Sequence, residues 1–140
     1  MTDNGTPYAI ELTIPPKAEY LVLCRLVLSG LARVREIDEE ALADLKLAVT
    51  EACSNSIRHA YRNGREGEVD VHYELGTDYL AVEVIDEGSG FPLELAQVGA
   101  EELQEEGMGI SIIRAVMDEL QVGAGPDGRG SRVRFTKYIA

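Results

Sequence analysis

Between Glu51 and His59 the chain reads Glu-Ala-Cys-Ser-Asn-Ser-Ile-Arg-His, so an acid, an amide and an imidazole recur every four residues. In a helix, at about 100° per residue, Glu51, Asn55 and His59 fall in one line beside the stripe formed by Leu45, Ala48, Ala52 and Ser56. A carboxylate held against a buried surface needs a partner, because uncompensated burial of charge is unfavourable. Two other stretches offer one. Asp86-Glu-Gly-Ser-Gly sets a carboxylate at the end of an alternating segment, and Gly88 and Gly90 then let backbone pass close to a ligand. Gly107-Met108-Gly109 stands ahead of a helical pattern, and the first amides of a helix attract anions.

The chemistry available to this set is specific. Asp86 can accept a hydrogen bond from an exocyclic amine, and Asn55 can offer a carbonyl oxygen to Mg²⁺. The glycine amides can hold phosphates, and Glu51 can accept a proton. Together these describe an ATP site. There is no Gly-x-x-x-x-Gly-Lys-Ser/Thr loop, and Gly107-Met-Gly109 lacks the third glycine of a dinucleotide fingerprint, so the two commonest nucleotide folds are disfavoured.

The elements that must position these residues follow from periodicity. Residues 8 to 14 alternate as a strand that Pro15-Pro16 ends. Residues 17 to 35 carry Tyr20, Leu23, Cys24, Val27, Leu28 and Leu31 at helical spacing, with Arg25 projecting as a solvated charge from a largely apolar helix. The apolar surface of that helix is wide enough to face both a core and a partner chain. Asp38 is placed to cap a second helix running through Glu51 to about Tyr61, with acids in its first turn. Residues 69 to 75 and 79 to 85 read as a hairpin across Gly76-Thr77-Asp78. Residues 91 to 106 lose periodicity and carry five Glu with no Lys or Arg, which predicts a lid-like loop. A helix over 110 to 120 and strands over 121 to 124 and 131 to 139 complete the chain. The order β-α-α-β-β-lid-α-β-β predicts an α+β class: a two-layer α/β sandwich, one mixed, mainly antiparallel sheet with helices on one face.

At 140 residues the chain is expected to form one domain over 1–140, with the lid at about 91–106. The net charge of −12 argues against direct nucleic-acid binding and against an anionic membrane surface, yet permits a phosphorylated ligand whose charge is offset by Mg²⁺ and backbone amides. No apolar run approaches a membrane span and no secretory signal is visible, so a cytoplasmic location is expected. Cys24 and Cys53, without a Cys-x-x-Cys pattern and both in helical segments, are expected to be buried free thiols.

With these residues in view, the sequence resembles the GHKL (histidine-kinase-like, Bergerat-fold) ATPase superfamily. Glu51-x-x-x-Asn55 looks like its N box, Asp86-x-Gly88-x-Gly90 its first glycine box and Gly107-x-Gly109 its second. Thr-Glu-Ala-Cys-Ser-Asn-Ser-Ile-Arg-His-Ala-Tyr and Gly-Met-Gly-Ile-Ser-Ile-Ile-Arg-Ala-Val-Met-Asp look most like bacterial anti-sigma-factor serine kinases of the sporulation and general-stress type. The resemblance implies a Mg²⁺- and ATP-dependent serine/threonine protein kinase that is a homodimer, binds a sigma factor and phosphorylates a serine of its anti-anti-sigma antagonist. It implies Glu51 as catalytic base, Asn55 as Mg²⁺ ligand and Asp86 as holder of the adenine amine. Gly88 and Gly90 would pass beside the base, Gly107, Met108 and Gly109 would contact phosphate, and Ser131 would reach adenine through water. Arg25 aligns with an arginine of the partner-binding surface on the first helix. His59, one turn beyond Asn55, is left between a neighbour of the phosphates and a packed histidine.

The expected departure from the family is the lid. Relatives often carry a basic residue there, whereas Glu105-Glu106 directly precede the second glycine box here. Transfer would then draw on Mg²⁺, Arg58, Arg114 or a partner's residue. The alternative is a nucleotide-gated binding module without phosphoryl transfer, or another stand-alone GHKL regulatory ATPase.

Overall fold

The computed structural model describes residues 7–60, 67–87, 105–125, 128 and 130–139, with the side chains of 59, 60 and 105–108 outside that description. Alternating apolar residues form β1 (Tyr8–Ile14), β2 (Val69–Leu75), β3 (Tyr79–Asp86) and β5 (Ser131–Tyr138), with β4 (Glu119–Gly123) shorter. A 3₁₀ turn at Ala18–Tyr20 leads into α1 (Leu21–Val34), followed by α2 (Glu39–Ala60) and α3 (Glu105–Val116). The element order is the expected one.

The five strands form a sheet in the order β1-β2-β3-β5-β4, and all four pairings are antiparallel. Alternation on β2 sends Val69, Val71, Tyr73 and Leu75 to the helix side, and Leu80, Val82, Val84 and Asp86 follow on β3. Against them α2 packs Leu45, Ala48, Val49, Ala52 and Cys53, while α1 adds Cys24, Leu28 and Leu31 and α3 adds Ile110 and Ile113. Burying such side chains supplies roughly 1.5–3 kcal/mol each before entropy is counted, so this interlayer core dominates the stability. Polar Asn55 and Asp86 sit in the same interlayer.

Local chemistry fixes the helices. The Asp38 carboxylate accepts the Ala41 N–H at 2.7 Å, the N-cap bond its position predicted. Lys137 donates to the Asp44 carboxylate at 3.1 Å and to the Val116 carbonyl at 2.8 Å, tying α2 and the end of α3 to β5. Cys24 and Cys53 are buried free thiols whose sulfurs lie 3.8 Å apart at the α1–α2 contact. The hydrogen bond it gives Cys24, together with burial, pushes the Cys53 thiol well above its ordinary range. The Tyr73 hydroxyl donates to the Cys24 carbonyl at 2.8 Å, and burial drives its phenol upward too.

Two boundaries differ from expectation. The third helix is already formed at Glu105 and ends at Val116, whereas periodicity suggested 110 to 120. Its acids favour an early turn of a helix, and the glycines at 107 and 109 masked the pattern. At the other end the Asp118 N–H donates to Thr136 O and the Asp118 carboxylate accepts the Tyr138 N–H. That registers Glu119 opposite Thr136 and turns the chain into β4 early. The expected lid overlaps α3 at 105–106, and its remaining residues lie outside the described ones.

Candidate functional site

Helix α2 carries Glu51 and Asn55 one turn apart on the side that meets α3. Asn55 is only 1% exposed and Glu51 is half-buried. The contact with α3 is close at Gly109. A Cβ there would stand 2.9 Å from Asn55 Nδ2, 3.1 Å from Asn55 Oδ1 and 3.1 Å from Glu51 Oε1. Glycine thus lets the two helices close over both polar side chains, and Gly109 lies inside α3 rather than ahead of it.

The hydrogen bonding of Asn55 is lopsided. Its Oδ1 accepts from Arg58 Nη2 at 2.7 Å, while Nδ2 is a buried donor with no partner among the described residues. Buried amide groups are nearly always paired, so an open one marks a place where a ligand acceptor would be favourable. The arrangement fits a nucleotide's phosphates with their metal: an N–H awaiting an acceptor, and beside it a carbonyl oxygen already selected for positive charge.

A second cluster is built by the sheet. Asp86 ends β3 opposite Ser131, which begins β5, and the Ser131 hydroxyl donates to Asp86 Oδ2 at 2.6 Å. The two are 2% and 3% exposed. Gly130 makes the crossing possible. Its φ is +66°, and a Cβ there would fall 1.9 Å from the Asp86 carbonyl oxygen.

Of the residues singled out in the sequence, Glu51, Asn55 and Gly109 therefore meet, and Asp86 and Ser131 meet separately. Gly107 and Met108 lie in α3, with the Met108 side chain outside the described residues. His59 lies in α2, its side chain likewise outside. Gly88 and Gly90 fall outside the described residues. Arg25 is not the solvated charge that its sequence position suggested: its Nη1 donates to Thr50 Oγ1 at 3.2 Å, and that hydroxyl donates to Lys46 O at 2.8 Å. α1 is thereby linked to the residue before Glu51. Sequence reasoning missed Thr50, the part played by Gly130 and the contact from Arg58. Only Gly130 left a signal, the Gly-Arg-Gly of its loop.

The model of the histidine kinase-like ATPase domain matches residues 14–137. The serine-protein kinase RsbW of Bacillus subtilis (strain 168) is 34% identical, over 97% of this chain and 88% of its own. The serine-protein kinase RsbW of Listeria innocua serovar 6a is 38% identical, over 93% and 87% respectively. Among solved structures, the RsbU and RsbW domains of Rv1364c from Mycobacterium tuberculosis superpose with a TM-score of 0.70 at 19% identity. That match covers 94% of this chain and 32% of the longer one. The mycobacterial sensor histidine kinase MprB gives a TM-score of 0.57 at 14% identity, over 93% of this chain and 98% of that one. The two structures speak for the fold.

Proposed function

The chain belongs to the histidine kinase-like ATPase family, and we propose that it is an ATP-dependent serine protein kinase that binds a sigma factor and phosphorylates a serine of that factor's anti-anti-sigma antagonist. Relatives named serine-protein kinase, matched over most of their length, support the enzymatic half. The partner half rests on the likeness of the two motif segments to anti-sigma kinases. In this reading residues 1–140 act as one ATP-binding domain in the cytoplasm, with about 91–106 as its lid. Among the described residues no helix is long and apolar enough to cross a membrane. A homodimer is supported by exposed apolar side chains that a second copy would cover: Val22 and Leu26 of α1, and Val34 of α1 where it lines a groove with Tyr8 and Ile10 of the edge strand β1.

The observation that carries the proposal is the buried, unpartnered Nδ2 of Asn55, closed over by Gly109 one turn from Glu51. Asp86, its rotamer held by Ser131, would accept the adenine amine. Asn55 would donate Nδ2 to a phosphate oxygen and give Oδ1 to Mg²⁺, with Gly88 and Gly90 beside the base and Gly107, Met108 and Gly109 near the phosphates. Mg²⁺ when bound supplies positive charge to the phosphates. Glu51 would take the proton of the substrate serine as its oxygen attacks the γ-phosphorus and the bond to the ADP oxygen breaks. Arg25, anchored by Thr50, would present the partner-binding surface of α1.

Radiolabelled ATP with the serine-bearing antagonists of the same genome tests this directly. At least one should be labelled by the wild type and none by Glu51→Ala, which should still bind nucleotide. Absence of label on every candidate, with nucleotide bound, rejects the kinase. The five Glu and absent Lys and Arg of residues 91–106 favour a second reading, a nucleotide-gated binding module. Recovery of a partner only with ATP, and no transfer, selects it.

A further inference from the structure

We propose that Arg58 is a positioning residue that holds the Asn55 amide oxygen in the nucleotide-free protein and must surrender it before Mg²⁺ can bind there; this rests on the reading of Asn55 as the metal ligand. Three observations carry it. The guanidinium Nη2 lies 2.7 Å from Asn55 Oδ1, within the range of a charge-assisted bond. Asn55 is 1% exposed, and Gly109 packs so near it that an added Cβ would stand 2.9 Å from Nδ2 and 3.1 Å from Oδ1, so Oδ1 has little room to turn toward another partner. Arg58 itself is on the exposed side of α2, with room to swing into solvent.

An amide oxygen has two lone pairs, but a guanidinium and a divalent cation sharing it would stand a few ångströms apart in a partly buried site and repel strongly, which disfavours holding both. Arg58 therefore acts as an internal cation. In the empty protein it pairs a buried acceptor that would otherwise be unsatisfied, and it orients the amide so that Nδ2 points away from it, open for an acceptor. When metal and nucleotide arrive, Oδ1 changes partner without the amide having to rotate. The consequence is a raised threshold: the site should need more Mg²⁺ than the same site without Arg58. The i,i+3 spacing of Asn55 and Arg58 is within reach of a long side chain although the two do not share the line that Glu51 and Asn55 share.

The test is a Mg²⁺ titration of a fluorescent ATP analogue bound to wild type, Arg58→Ala and Arg58→Lys. The Mg²⁺ concentration at half-saturation should fall about tenfold in Arg58→Ala, with Arg58→Lys between the two. A midpoint that is unchanged, or that rises, overturns the proposal. A second measurement needs no variant. By NMR the Arg58 guanidinium of the empty wild type should rotate slowly, stay so with nucleotide in EDTA, and become free on adding Mg²⁺. A guanidinium that is free in the empty protein, or still held with Mg²⁺ present, also overturns it. Intact nucleotide binding with an unmoved midpoint defeats this inference alone. Wild type that takes up no nucleotide defeats the kinase reading as well.

Discussion

The two polar clusters of the interlayer are buried alike and finished differently. Asp86 and Ser131 are closed on each other at 2.6 Å by the register of β3 and β5. Asn55, as deeply buried, keeps an amide N–H with no partner among the described residues and lends its oxygen to a surface arginine. A satisfied pair contributes to stability, whereas an open donor lowers it by about 1–3 kcal/mol until something pairs with it. Among the described residues, the end proposed for the adenine base is thus built by the sheet. The end proposed for the phosphates is held by two helices and keeps a donor that a ligand would pair.

This contrast can be broken at either end. The largest effect should come from Glu51→Ala, with serine phosphorylation reduced about 10³-fold in a single-turnover assay and unfolding unaffected, since the role proposed for the residue is toward a reacting proton. Gly130→Ala forces φ +66° on a side chain and sets its Cβ 1.9 Å from the Asp86 carbonyl oxygen, and should lose ~2–4 kcal/mol in urea unfolding. Ser131→Ala leaves Asp86 without its hydroxyl donor and should lose ~1–2 kcal/mol. Asn55→Ala removes a group already unpaired on one side, so its loss of stability should stay below ~1 kcal/mol despite equal burial. A greater loss for Asn55→Ala than for Ser131→Ala would undo the contrast.

The smallest effect concerns pH. The folded protein holds the Cys53 proton to higher pH than the unfolded chain does, whose thiols titrate near the ordinary 9.0. The stability from this group is full below 9.0 and declines as pH rises above it, while Cys24, held below its ordinary range as acceptor of the same hydrogen bond, offsets part of that decline. Thermal melts from pH 8 to 10.5 should show that decline, and Cys53→Ala should move its onset upward, leaving the part due to Tyr73, which shifts in the same direction. A parallel decline in both proteins would contradict the cause assigned.

Much of this was legible before any coordinates. Alternation located β1, β2, β3 and β5, Asp38 announced its cap, and the four-residue spacing of Glu51 and Asn55 placed both on one helix line, because these are local periodicities. The order that inserts β5 between β3 and β4 was not legible, since pairing across the 131–138 strand depends on tertiary register. The sequence places the start of helix α3 late because two glycines weaken its apolar pattern, although the contact with α2 requires the second. Arg25 looked solvated because Thr50, its acceptor, comes from another helix. The 3.8 Å approach of Cys24 and Cys53 likewise follows from how α1 crosses α2, which spacing does not encode.

The most direct test of the division between a finished base end and an open phosphate end is calorimetric titration of ATP and of adenosine into wild type, Asn55→Ala and Asp86→Asn, all with Mg²⁺. Asn55→Ala should weaken ATP about tenfold or more and leave adenosine nearly unchanged, while Asp86→Asn should weaken both. Equal weakening of ATP and adenosine by Asn55→Ala, or none of either, would contradict the account.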